Sequence, residues 1–266
     1  MKSYGFVIEP YFSVGSVLSR TVSTLVQKPV LFFGLAAVAS LPSALINSTR
    51  FISPSAGLIS FFINLLLGLL IQGAIAYGVF ISLTGDEPSL GQVLARGFRR
   101  VFYLFLIILI IWILSVFLMF LTAMLIVMVS KITLLAVLMM FLMGVVATNL
   151  ICSWAVTIQS CVVEQLGPIA SINRSSGLTK GYRWQLFALF LILFVVSLVI
   201  VIILGTISSL VFPAHMLMRP QVQAGILFIT SVFGAAFVGV MCSVIYYDLR
   251  AVKEGLTLDS LADIFD

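Results

Sequence analysis

Charge is what this chain has least of: Asp, Glu, Lys and Arg make up 9% of its 266 residues, where a soluble domain carries about a quarter. That leaves too little polar surface to cover a water-soluble fold of this length. Histidine occurs once, at His215 between Pro213 and Arg219, with no Cys, Asp or Glu near it in sequence, so no metal site is expected there. Three cysteines, Cys152, Cys161 and Cys242, lie in or beside apolar runs with neither metal-ligand spacing nor a disulfide framework, and they read as small packing residues. A Walker-type loop, an HExxH pair and a nucleophile elbow are all missing. No catalytic constellation and no cofactor are therefore expected.

What is present is apolar: 62% of the residues are hydrophobic and the mean hydropathy is +1.27. A membrane span needs roughly 20 mainly apolar residues. Six segments qualify, Pro29–Asn47, Ala56–Leu83, Val101–Val129, Ile132–Gln159, Gln185–Phe212 and Ala224–Tyr247, and they make up more than half of a single integral membrane domain, 1–266. The fold expected is all-α, a polytopic membrane helical bundle. After Lys2 no apolar run begins until about Val30, so the first span, rather than a cleaved signal peptide, is expected to direct insertion.

The fourteen basic residues orient the spans. One set of flanks holds Lys2, Arg20, Lys28, Arg96, Arg99, Arg100, Arg174, Lys180, Arg183, Arg250 and Lys253, and the opposite set only Arg50, Lys131 and Arg219. Lys- and Arg-rich flanks stay in the cytoplasm. Both termini are therefore expected on the cytoplasmic side, with short outer loops at Asn47–Ser55, Ser130-Lys131 and Pro213–Gln223. Because the basic residues sit beside apolar runs and not on a polar domain, anionic lipid headgroups are the expected partner and nucleic acid is not.

Three juxtamembrane segments carry these cations. Val14, Val17, Leu18, Thr21, Val22, Leu25 and Val26 recur at helical spacing opposite Ser16, Arg20, Ser23, Gln27 and Lys28. Leu90, Val93, Leu94, Gly97, Phe98, Val101 and Phe102 repeat the pattern opposite Gln92, Arg96, Arg99 and Arg100, with Ser89 as N-cap. Gly167-Pro168 opens a weaker one, Ile169–Lys180, whose polar face includes Ser171, Arg174 and Ser175. Arg20, Arg96 and Arg174 stand 76 and 78 residues apart, which suggests a threefold repeat of a basic amphipathic helix followed by a membrane hairpin.

The span interiors hold no ionisable group, which disfavours a carboxylate relay. Glu164 is the nearest acid and reads as a solvated helix terminus. The buried polar groups are amides and hydroxyls, among them Asn64, Gln72, Ser115, Thr122, Thr148, Asn149, Thr157, Gln159, Thr206, Ser208 and Ser209, expected to bridge helices. Gly68, Gly73, Gly78, Ala74 and Ala76 in the second span, and Gly225, Gly234, Ala235, Ala236 and Gly239 in the sixth, are expected to allow close helix approach and dense packing. Past the sixth span, Leu258, Leu261, Ile264 and Phe265 share a helical face among Asp259, Asp263 and Asp266, which suits either docking on Arg96, Arg99 and Arg100 or a solvated tail.

Three stretches carry a resemblance: Phe12-Ser13-Val14-Gly15, Arg174-Ser175-Ser176-Gly177-Leu178-Thr179-Lys180-Gly181-Tyr182-Arg183-Trp184, and Tyr246-Tyr247-Asp248-Leu249-Arg250 with Lys253-Glu254-Gly255. Together they resemble bacterial six-helix membrane proteins similar to the membrane domain fused to some glycerophosphodiester phosphodiesterases. The hydrolase module and its acidic and histidine residues are missing here, so the resemblance implies an architecture and a bacterial inner membrane, and no catalytic residue. The function expected is a non-enzymatic, lipid-interacting or scaffolding component of that membrane, with Arg96, Arg99, Arg100, Arg174, Lys180 and Arg183 as headgroup contacts. The alternative is a small-solute or lipid permease using Asn64, Gln72, Asn149 and Gln159.

Overall fold

The computed structural model describes residues 12–48, 54–84, 89–129, 133–211, 213 and 219–255. His215, Arg50, Lys131 and the acidic C-terminal face lie outside them, as does most of each expected outer loop. The described chain is helical: α1 Val14–Gln27, α2 Pro29–Ser48, α3 Pro54–Thr84, α4 Leu90–Val129, α5 Thr133–Ser153, α6 Thr157–Val163, α7 Pro168–Thr179, α8 Arg183–Val211 and α9 Pro220–Glu254. Five stretches are long and apolar enough to cross a membrane, or six when the bent pair α1–α2 counts as one.

The corner between α1 and α2 follows from Pro29. A residue before proline is pushed out of the α region; Lys28 accordingly sits at φ −135°, ψ 61°, and the axes turn by 89°. Ser13 caps α1, its side chain accepting from the Ser16 amide at 3.1 Å. The second amphipathic segment differs. No proline interrupts it, so it continues into its span as one helix, α4, of 40 residues. At 1.5 Å per residue that is about 60 Å, twice the hydrocarbon thickness.

The fourth span breaks at 154–156, between α5 and α6, a feature its apolar composition did not reveal. The groups freed there are met by α7. The Val156 amide donates to Ser175 Oγ at 3.3 Å, which itself donates to the Ser153 carbonyl at 2.7 Å. Ser160 Oγ donates to the Ser171 carbonyl at 3.2 Å. The third amphipathic helix is thus inverted with respect to the expectation. It buries Ser171, Ser175, Leu178 and Thr179 and turns Ile169 outward, 68% exposed, because the broken helix beneath it needs hydrogen bonds more than apolar cover.

α9 is the hub. It pairs most extensively with α2 and also meets α1, α3, α6, α7 and α8. The rings of Phe33 and Phe233 lie 5.0 Å apart between α2 and α9, at the outer edge of a core that includes Phe32, Ile71, Ile75, Met241 and Ile245. α4 crosses α3 at Gly97, where a Cβ would stand 2.6 Å from the Leu70 carbonyl oxygen. Gly73 faces the same crossing, and Gly239 lets α9 approach Gln72 and Ile75. Gly68, Gly225 and Gly234, expected to do likewise, have nothing within 4 Å of a built Cβ. The hydroxyls also depart from expectation. Ser115, Thr122, Thr148 and Thr206 donate to carbonyls one turn back in their own helices, as do Ser208 and Ser209, so none of these bonds bridges helices.

Candidate functional site

Glu164 closes α6, and its carboxylate is the centre of an ion network, not a solvated terminus; its side chain is 13% exposed. Arg174 on α7 grips it with Nε at 3.0 and 2.9 Å from the two oxygens and Nη2 at 2.9 Å. Tyr246 Oη donates to Oε1 at 2.6 Å. Glu254, in the last turn of α9, also pairs with Arg174 and accepts from Arg250 Nε at 2.9 Å, one turn back. A separate pair, Arg20 with Asp248, fastens α1 to α9. Burial works against the charge on Arg174, but Glu164 and then Glu254 outweigh it, so its pKa is raised. The network and the Arg20 pair together engage every acid among the described residues: Glu164 and Glu254 in the first, Asp248 in the second.

The sequence stretches that carry the resemblance meet here. Phe12 packs edge-on against Tyr182, ring centroids 5.5 Å apart, and Lys253 Nζ stands 5.9 Å from the Tyr182 ring. The same Nζ donates to the Gly177 and Lys180 carbonyls at 2.6 and 2.7 Å, capping the C-terminal end of α7.

The six headgroup candidates are therefore not equivalent. Arg174 is neutralised inside the network. Arg96 lies 5.1 Å over the Tyr77 ring with its Nε buried and unbonded. Arg100 donates to Gln165 Oε1 at 3.1 Å, and Gln165 itself turns the chain from α6 to α7 at a φ of 58°. Arg99 is exposed on α4. Lys180 and Arg183 flank the turn at Gly181, whose φ of 94° suits glycine, and both act electrostatically on Lys253. Sequence reading grouped Lys253 with the inner flank but not with these two, since it is 70 residues further along.

Beside this trio, α5 and α8 leave a groove of about 440 Å³. Its walls are apolar, with Phe141, Val145 and Phe187 along them, and its polar end holds Asn149, Arg183 and Trp184. Arg183 Nη1 donates to Asn149 Oδ1, while its Nε is buried without a partner. Trp184 is 79% exposed, as an interfacial tryptophan would be. The four amides expected to form a solute site do not gather: Gln72 and Gln159 line a second cavity between α3, α4, α6 and α9, Asn149 lies in the α5–α8 groove, and Asn64 lines neither.

The fold and its basic end define an all-α, multi-pass membrane bundle. No family model, curated protein or solved structure matches the chain.

Proposed function

We propose that this protein is a non-enzymatic module of the bacterial cytoplasmic membrane, with its basic end and both termini in the cytoplasm, that holds an anionic lipid in the α5–α8 groove. One observation carries the reading. An apolar slot ends at Arg183, which acts together with Lys180 on the Lys253 ammonium just beyond the slot, and no acid among the described residues pairs with any of the three. Acyl chains suit Phe141, Val145 and Phe187, and a phosphate suits the cations, with Trp184 at headgroup depth. Each cation near an anionic surface contributes about 1 kcal/mol, so three together amount to roughly a hundredfold preference.

The test is lipid retention. Protein reconstituted in an equimolar mixture of phosphatidylglycerol and phosphatidylcholine, then extracted and weighed by native mass spectrometry, is expected to keep phosphatidylglycerol. Lys180→Gln/Arg183→Gln/Lys253→Gln is expected to lose that preference, and Arg99→Gln to keep it. Equal retention of both lipids by the unaltered protein would overturn the reading.

A further inference from the structure

The cavity that holds Gln72 and Gln159 stands apart from the lipid groove and carries a different chemistry. It measures about 400 Å³, within the range of small-molecule pockets. Helices α3, α4, α6 and α9 and the break before α6 wall it, mostly with apolar residues such as Leu65, Leu69 and Ile111. Its polar groups are uncharged: the Thr157 hydroxyl, the Gln72 and Gln159 amides, the Trp154 indole and the Cys242 thiol. Gln72 is already engaged, its Nε2 donating to the Ala235 carbonyl at 3.4 Å. Gln159 is not. The residue is 3% exposed, and its Oε1 is buried with no hydrogen-bond partner.

A buried carbonyl oxygen without a donor is costly and rare in native structures. Water cannot supply the donor cheaply inside a membrane, and an acyl chain has none to offer. The terminal torsion of glutamine is broad, so the carboxamide turns toward an occupant at little cost. A charged occupant would find no counter-charge, because no ionisable carboxylate or basic group lines the walls. We propose that this cavity binds a neutral, hydroxyl-bearing amphiphile, whose hydroxyl donates to Gln159 Oε1 while its hydrocarbon fills the space between α3 and α4.

Photolabelling tests this in nanodiscs of phosphatidylcholine alone, where the anionic-lipid reading plays no part. The probes are a long-chain alcohol carrying a diazirine and the matching diazirine alkane, with labelled peptides mapped by mass spectrometry. The alcohol is expected to label 154–159 and the Gln72 region several-fold more than the alkane, and excess lauryl alcohol to compete. Gln159→Leu should bring alcohol labelling down to the alkane level without lowering thermal stability. Gly68→Met, at a position where a built Cβ meets nothing within 4 Å, should fill the cavity and remove labelling there by either probe. Equal labelling by both probes, labelling indifferent to Gln159→Leu, or no labelling of these segments by either probe would overturn the proposal.

Discussion

The two ends of this bundle are held together by different physics. At the basic end, α1, α6, α7 and α9 are joined by named directional bonds: Arg20 to Asp248, Arg174 to Glu164 and Glu254, and Ser175 to the broken turn. Toward the opposite end, α4, α5 and α8 run with little between them. Half of the apolar stretch of α3 is buried, 50%, against 11% in each of α4, α5–α6 and α8. In place of cross-links these helices have hydroxyls bonded back to their own backbone, and α4 and α5 part around an apolar cavity of about 510 Å³. Between helices in hydrocarbon there is no hydrophobic drive, because lipid tails are as apolar as leucine. Association must then come from close packing or polar bonds, and this chain places both at α3, α9 and the basic end.

The contrast can be broken most severely at Glu164. Glu164→Ala leaves Arg174 and Arg250 with Glu254 as their one remaining acid and takes the acceptor from Tyr246. A fully uncompensated buried charge costs about 3–5 kcal/mol; Glu254 offsets part of that for Arg174, and the melting temperature in detergent should still fall by more than for any change below, whereas a change near zero would show that the network is decoration. Gly97→Ala is expected to come next. Its Cβ would press on the Leu70 carbonyl, and overpacking of this kind costs about 1–3 kcal/mol. The same substitution at Gly144 or Gly205, where nothing lies within 4 Å, should stabilise by up to about 1 kcal/mol through helix propensity. Equal effects at Gly97 and Gly205 would erase the distinction between the two regions.

Smaller still, Ser175→Ala should cost about 1–2 kcal/mol by orphaning the Val156 amide and leaving the Ser153 carbonyl only the long bond from Thr179, and hydrogen exchange should rise at 153–156. Thr206→Ala, which removes only a bond within its own turn, should change stability by less than about 0.5 kcal/mol. If Thr206→Ala destabilised as much as Ser175→Ala, the far end would have cross-links of its own.

Composition and hydropathy alone determined that this is an all-α bundle, where its apolar helices run and which of their ends are basic, because burying a backbone in hydrocarbon leaves a chain almost no freedom but to form helices. Even the corner at Lys28-Pro29 is legible, since proline acts on its neighbour locally. The partnerships of the charges were not legible. Glu164 and Tyr246 are 82 residues apart and Arg20 and Asp248 are 228 apart, and nothing in local spacing says that these pairs meet. The serines of α7 misled for the same reason: on a helix wheel they form a polar face for water, while in the fold they serve a gap in another helix. Which cations remain for a ligand, and which amide is left without a donor, are settled by long-range pairing, so only the tertiary structure could decide them.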